Sequence, residues 1–175
     1  MMAKVGLKKS DVNIQAAGPA GVWKLFLAGK SDAMAGVPDW IGIAMGAGKK
    51  LNIIPADKYF KSMAQAILAS DDTIKNNPEL IQKLVRATLK GMKDIMDDPA
   101  GASKDYVAAV PQHKGKEKAM EGVFRLYNKY VYPGQKKLGA MDESRLADLQ
   151  DFYVGQGIVK KKSALSDLYT NQFVE

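Results

Sequence analysis

The chain has 175 residues, 46% of them hydrophobic and 26% charged, which suits one folded domain or two small lobes. It contains no cysteine, which excludes disulfides, thiolate nucleophiles and cysteine metal ligands. No apolar run approaches the roughly 18 residues that a membrane-spanning helix needs. A formal net charge of +7 leaves several anionic partners open, namely nucleic acid, anionic lipid and anionic ligands.

The positive charges are scattered along the chain, with local clusters at 114–118 and 160–162. Aromatic side chains do not alternate with either cluster, as they would on a stacking platform for bases. We therefore interpret the lysines as solvated surface and expect no nucleic-acid partner. The alternative is a basic helical interaction module that binds nucleic acid, and steeply salt-dependent binding would favour it.

The first third of the chain predicts alternating strands and helices. Residues 12–16 alternate apolar and polar side chains, whereas 33–37 and 51–54 are short apolar runs typical of buried strands. Gly18-Pro19 predicts one helix start, closed at Gly29, and Pro38 opens a second helix. The order predicts a short parallel βαβαβ unit with right-handed crossovers, and hence an α/β fold.

The rest of the chain predicts mainly helices. Residues 62–69 suit either a strand or a helix, and we favour a strand because a clear helix start follows at Asn77-Pro78-Glu79. That helix ends before Pro99. Further helices are predicted at 100–109, 116–131 and 143–154, the last capped by Asp142, with a final short helix after Ser163.

Landmarks spread over almost the whole chain resemble a family of ABC-importer binding proteins, those for nitrate, sulfonates, taurine and thiamine precursors. Each landmark is short, and the resemblance depends on their order. They are Gly6-Leu7, Asp11-Val12, Gly18-Pro19-Ala20, the run 27–33 (LAGKSDA), Ile67-Leu68-Ala69-Ser70, Ile74, Asn77-Pro78-Glu79, Arg86-Ala87, Asp98-Pro99-Ala100, Gly139-Ala140-Met141-Asp142, Gly157-Ile158-Val159 and Leu168-Tyr169-Thr170-Asn171.

The resemblance implies a type II periplasmic-binding-protein-like fold of two lobes, with a small solute bound in the cleft between them and delivered to ABC permease membrane subunits. By resemblance, residues 1–57 are the later half of lobe two, and 58–175 are the crossover and the helical return to lobe one. Most of lobe one is then absent from this chain. The family also implies a periplasmic or lipid-anchored extracytoplasmic location, although no signal peptide is visible in the chain.

The resemblance places a first candidate ligand site at Gly18, Pro19, Ala20 and Gly21, where a strand would end and a helix begin at the cleft. Free N–H groups of Ala20 and Gly21 would suit an anionic head group. The alternative is that Gly18-Pro19 only starts the helix, a role that needs no ligand.

The second candidate site is Asp39 with Trp40. Asp39 would accept a hydrogen bond from a ligand amine or hydroxyl, and Trp40 would stack on an apolar part of the ligand. The alternative is that Asp39 caps a helix and Trp40 packs inside. Tyr59 lies after the crossover and would reach the cleft, or else it packs in the core or hinge.

No catalytic machinery is indicated, so we expect a binding protein without cofactor or metal rather than an enzyme. His113 is the sole histidine and has no nearby nucleophile or acidic partner in the sequence. The pairs Asp71-Asp72 and Asp97-Asp98 suit helix capping better than metal binding. Exposed sheet edges and apolar helix faces further predict a homo-oligomer.

Overall fold

A computed structural model of the protein describes residues 5–60 and 65–174, which form a helical assembly. The α-helices of these residues are α1 (Gly18–Leu27), α2 (Pro38–Gly46), α3 (Asp71–Asn76), α4 (Pro78–Asp97), α5 (Pro99–Ala109), α6 (Glu117–Tyr130) and α7 (Glu143–Gly155). Single turns of 3-10 helix lie at Lys9–Asp11, Ala56–Lys58, Pro111–His113 and Leu165–Asp167.

The predicted α/β fold with its βαβαβ unit is wrong. None of the described residues belongs to a strand, including those at 12–16, 33–37 and 51–54. Val12 and Val37 do have extended backbones, with φ/ψ of −135°/145° and −113°/165°. An extended segment becomes a strand only when a neighbour supplies N–H and C=O partners, and no such neighbour lies alongside in the described chain.

The strand favoured at 62–69 is also absent where it can be assessed. Residues 62–64 lie outside the described residues, and 65–69 form no strand. Residues Asp71–Asn76 form α3, which was not predicted. Ser70 caps α3, because its hydroxyl accepts a hydrogen bond from the backbone N–H of Thr73 at 3.1 Å.

The four longer helices predicted after residue 77 are confirmed, as are α1 and α2. The final short helix predicted after Ser163 is only the 3-10 turn Leu165–Asp167, and Ser163 does not cap it. Pro38, Pro78 and Pro99 each occupy the first helical position, where the missing N–H has no consequence. Gly29 has a φ of 69° just beyond α1, the left-handed conformation that ends helices. Asp142 caps α7 as predicted, with Oδ1 accepting from the N–H of Ser144 at 3.0 Å.

The core lies where α5 packs against α4 and α6, and where α2 packs against α6. A side chain at Gly42 of α2 would meet Val123 of α6 at 2.8 Å, so glycine permits this close approach. Asn128 of α6 donates a 2.8 Å hydrogen bond to the carbonyl of Ile95, which fastens α6 to α4. Among the described residues, the buried ones are Pro38, Ala44, Ile81, Val85, Ser103, Val107 and Val123.

The C-terminal tail returns across α4. Asn171 exchanges two hydrogen bonds with the backbone of Met141, at 2.8 and 3.1 Å. Gln82 of α4 donates to the carbonyl of Phe173 at 3.4 Å, and Lys137 donates to that of Val174 at 3.1 Å. The tail is therefore held to both α4 and the loop that precedes α7.

The surface of the chain is large for its mass. Its accessible area is 12782 Å², whereas a compact monomer of 19.0 kDa exposes about 8,400 Å². Several large apolar residues contribute to this accessible area, including Ile14 and Ile54, which are 60% and 53% exposed, and Leu68, which is 91% exposed. These three residues lie in the extended segments that lack strand partners.

Across residues 5–60 and 65–174, no helix combines the length and the apolar character that crossing a membrane requires.

Candidate functional site

The most distinctive polar arrangement lies at the junction of α2 and α6. Pro38 is buried and begins α2, which leaves Asp39 in the exposed first turn of that helix. The hydroxyl of Tyr127 on α6 donates a hydrogen bond to Oδ2 of Asp39 at 2.9 Å. Packing of α2 on α6 thus joins two residues that are 88 positions apart in the sequence.

Tyr132 completes what we call the carboxylate–tyrosine cluster, formed by Asp39, Tyr127 and Tyr132. Its ring centroid lies 5.6 Å from that of Tyr127. Burial, followed by the hydrogen bond to Asp39, raises the pKa of Tyr127 far above its ordinary value. Burial and the negative charge of Asp39 likewise raise the pKa of Tyr132. Both phenols therefore keep their protons at neutral pH, and Tyr127 acts as a donor to the carboxylate.

Trp40 lies next to the cluster and is half-buried. Its ring sits over Gly36, where an added Cβ would lie only 2.9 Å from Cε3. A residue with a side chain at position 36 would therefore displace the indole. The structure thus places an oriented aromatic ring directly after the exposed carboxylate of Asp39.

The other candidate ligand site predicted from the sequence, residues 18–21, lies in the first turn of α1. Gly18 has a φ of 65°, and residues Gly18, Pro19 and Ala20 are exposed, whereas Gly21 is half-buried. The N–H groups of a first helical turn have no partner within the helix. Because α1 packs against α2, the two predicted groups lie on neighbouring helices.

Tyr59 follows the 3-10 turn Ala56–Lys58 and is half-buried. Within the described part of the chain, no hydrogen bond or ring contact joins it to the carboxylate–tyrosine cluster or to Trp40. Conversely, the sequence prediction missed Tyr127 and Tyr132. No local pattern identifies them, since their proximity to Asp39 arises from the packing of two distant helices.

The other titratable residues considered in the sequence, His113 and the paired aspartates, make contacts that stabilise the fold. The ring of His113 packs 5.4 Å from that of Tyr106, and its Nδ1 atom is buried without a hydrogen-bond partner. Asp98 caps α5 as predicted, whereas Asp97 is the last residue of α4 and pairs with Lys93 at 2.6 Å. In the ranges that the structure describes, histidines and acidic residues form no group suited to a metal ion.

Comparison with known proteins identifies the class. A sequence model of the family described as NMT1/THI5 like matches residues 1–102, which is more than half of the chain. The chain therefore belongs to this family, a family of ABC-type extracytoplasmic substrate-binding proteins, and the resemblance noted in the sequence is confirmed.

One curated relative is the riboflavin-binding protein RibY of Chloroflexus aurantiacus. It is 26% identical over 182 residues, which cover 97% of this chain and 49% of the relative. The chain thus spans about half the length of the curated relative that it matches. No solved structure matches the chain.

The hydrogen bond in the carboxylate–tyrosine cluster predicts a pH-dependent contribution to stability. Tyr127→Phe should lower the free energy of unfolding by about 1 kcal/mol near neutral pH. Because the folded-state pKa of Tyr127 lies above its ordinary value of 10.0, this contribution is present below about pH 10 and is lost as the pH rises further. Urea denaturation at about pH 8 and pH 11 measures it.

Tyr130→Phe is the matched control, because Tyr130 lies on the same helix without a comparable bond to a carboxylate. Equal losses of stability for the two variants at about pH 8 would contradict a special role for the hydrogen bond between Tyr127 and Asp39.

Proposed function

We propose that the chain is part of the solute-binding component of an ABC importer and that it holds a small solute beside Asp39 and Trp40. The observation that carries this proposal is the hydrogen bond from Tyr127 to Oδ2 of Asp39. That bond orients the carboxylate while Asp39 remains exposed, so its other oxygen can accept a hydrogen bond from a solute. Family membership supports solute binding as the class of function.

The proposed site combines three chemistries. Asp39 accepts from a hydroxyl or amine, Trp40 stacks on a planar or apolar part, and the first turn of α1 at Ala20 and Gly21 receives a negative group. A small anion suits the last feature and the net positive charge. Riboflavin, the ligand for which the curated relative is named, suits the first two features through its ribityl hydroxyls and its planar ring.

Delivery of the solute to permease membrane subunits, and a periplasmic or lipid-anchored location, are parts of the same proposal. They rest on membership of an extracytoplasmic family. A role in binding rather than catalysis is proposed as well. In its support, the sole histidine packs against Tyr106, and the carboxylate of the site is engaged by a tyrosine that keeps its proton.

Tryptophan fluorescence tests the site directly. The chain has two tryptophans, so Trp23→Phe leaves Trp40 as the sole indole reporter. Added riboflavin should quench this emission saturably, and Asp39→Asn in the same background should raise the Kd about ten-fold, because a hydrogen bond to a charged acceptor is lost.

The matched control is Asp32→Asn, an exposed carboxylate outside the cluster. It should leave the riboflavin Kd unchanged. If Asp39→Asn and Asp32→Asn give the same Kd, Asp39 is not part of the site, and if quenching never saturates, riboflavin is not its solute.

We further propose that the chain self-associates through its exposed apolar segments. Its accessible surface exceeds the compact-monomer value by about 4,400 Å², several times the roughly 800 Å² that each partner buries in a standard interface. Residues 65–70 (QAILAS) carry no charge, glycine or proline, and Leu68 within them is 91% exposed. Such a segment favours pairing with a second copy despite the net positive charge of the chain.

Light scattering tests this proposal. The chain should elute as a dimer or larger species, and Leu68→Lys should shift the population at least several-fold towards monomer, because a charge on the segment opposes pairing. Leu165→Lys, at a half-buried position in the 3-10 turn near α7, tests whether any added lysine has the same effect. A monodisperse monomer for the unsubstituted chain would contradict self-association.

A further inference from the structure

A groove between α4 and the C-terminal tail is separate from the carboxylate–tyrosine cluster. Its cavity volume is about 390 Å³, within the roughly 300–1,000 Å³ of small-molecule sites. Three apolar side chains, Leu89, Leu138 and Phe173, line it together with three cationic ones, Arg86, Lys90 and Lys93. We call it the α4 groove.

The apolar floor of the α4 groove is built from three parts of the chain. Gly139 has a φ of 80°, and its backbone lies so close to Leu89 that a Cβ there would overlap the leucine methyl groups. The bond from Gln82 to the carbonyl of Phe173 holds that residue beside α4. The paired bonds between Asn171 and Met141 tie the tail to the same loop. The groove is thus a feature of the tertiary fold rather than of one helix surface.

The cations follow one flank of α4, since residues 86, 90 and 93 recur at helical spacing. Lys93 is neutralised by its ion pair with Asp97 at 2.6 Å. Arg86 and Lys90 form no ion pair with any described residue and are exposed. Two positive charges that pair with none of the described carboxylates therefore stand above an apolar floor.

A second depression, between α5 and α6, shows which features distinguish the α4 groove as a ligand site. It has a similar volume, about 440 Å³, and two lysines, Lys104 and Lys114. Its lining also contains the carboxylate of Glu117 and lacks an aromatic ring. A ligand with an anionic head and an apolar body is therefore matched by the α4 groove and opposed by the depression at Glu117.

We propose that the α4 groove is a second ligand site, which binds a small molecule composed of an apolar ring and an anionic head. The ring lies against Leu89 and Phe173, and the anionic head lies near Arg86 and Lys90. The cavity volume favours such a molecule over a docked helix, which would need a longer groove.

The test uses 2-naphthoate as the probe and its neutral amide, 2-naphthamide, as the matched ligand control. Ligand-detected NMR should give a naphthoate Kd of about 1 mM and binding of the amide several-fold weaker. The double variant Arg86→Ala/Lys90→Ala should raise the naphthoate Kd about five- to ten-fold, since two exposed charge contacts are lost. Phe173→Ala should weaken binding of both ligands.

The double variant Lys104→Ala/Lys114→Ala removes the same number of charges from the other depression and should leave the naphthoate Kd unchanged. Equal binding of acid and amide, or equal losses in the two double variants, would overturn the proposal, as would the absence of saturable binding. None of these substitutions touches the carboxylate–tyrosine cluster, so the outcome is independent of the solute site proposed there.

Discussion

Gly139→Ala is expected to lower the free energy of unfolding by roughly 2–3 kcal/mol. Two separate penalties combine at this position. Gly139 has a φ of 80°, a left-handed conformation that costs a residue with a Cβ roughly 1–2 kcal/mol. The new Cβ would also overlap the methyl groups of Leu89, a half-buried side chain that must move to accommodate it.

The chain supplies a control that separates the two penalties. Gly134 has the same φ of 80°, but a Cβ there would meet no atom within 4 Å. Gly134→Ala should therefore show the conformational penalty alone, roughly 1–2 kcal/mol in urea denaturation. Adding Leu89→Ala to Gly139→Ala should cost less than the sum of the single changes. Equal losses for Gly134→Ala and Gly139→Ala would show that the loop does not approach α4 as closely as the structure indicates.

Ile81→Ala is expected to have an equal or larger effect, roughly 2–4 kcal/mol. Ile81 is 6% exposed and lies on the core face of α4, so its truncation removes buried apolar area and leaves a cavity. The adjacent Leu80 is 53% exposed and points away from this core. Leu80→Ala should therefore change the free energy of unfolding by less than about 0.5 kcal/mol.

Urea denaturation of the two variants at one protein concentration gives the comparison, with far-ultraviolet circular dichroism as the signal. If Leu80→Ala proves as destabilising as Ile81→Ala, the exposed flank of α4 is covered in solution. In that event the assignment of the core to one face of α4 is wrong, or a second copy covers the opposite face.

Local signals in the sequence were sufficient for most helices. Pro38, Pro78 and Pro99 mark helix starts, and Asp142 marks another, because capping depends on neighbours within a few residues. The six-residue helix α3 was missed, since it is too short for an apolar period to be read. Its cap at Ser70 would have been the signal.

The strands could not be predicted in the same way, because a strand is defined by its partner. Alternating side chains at 12–16 and apolar runs at 33–37 and 51–54 report a preference for extended backbone. Val12 and Val37 satisfy that preference. Whether an extended segment joins a sheet depends on residues far away in the sequence, and the described chain provides no partner for these segments.

The residues of the candidate site show the same difference between local features, which a sequence reveals, and contacts between distant segments, which it does not. Asp39 and Trp40 were predicted from the chemistry of their side chains and from their place after a predicted strand. The structure places them in the first turn of α2, with no strand in the described residues before it. Tyr127 and Tyr132 were not predicted, since they approach Asp39 only after α6 packs on α2. That contact also crosses the boundary predicted near residue 57. The division at 57 stays a prediction.

The family match and the exposed apolar surface both bear on how tightly this chain can bind a solute. The chain matches about half the length of its curated relative, and it exposes more surface than a compact protein of its mass. We therefore expect the proposed solute site at Asp39 to bind weakly in this chain alone, because Asp39 is exposed and a solute held there keeps much of its surface in contact with water.

Isothermal titration of the unsubstituted chain tests the central claim of solute binding most directly. Riboflavin, taurine and a thiamine precursor, each with a hydroxyl or amine that can donate to Asp39, are titrated separately under identical buffer conditions. We expect saturable one-to-one binding of at least one solute, with a Kd of about 1 mM or slightly below, and loss of that binding in Asp39→Asn. Heats that match simple dilution for every solute, or binding that survives unchanged in Asp39→Asn, would contradict it.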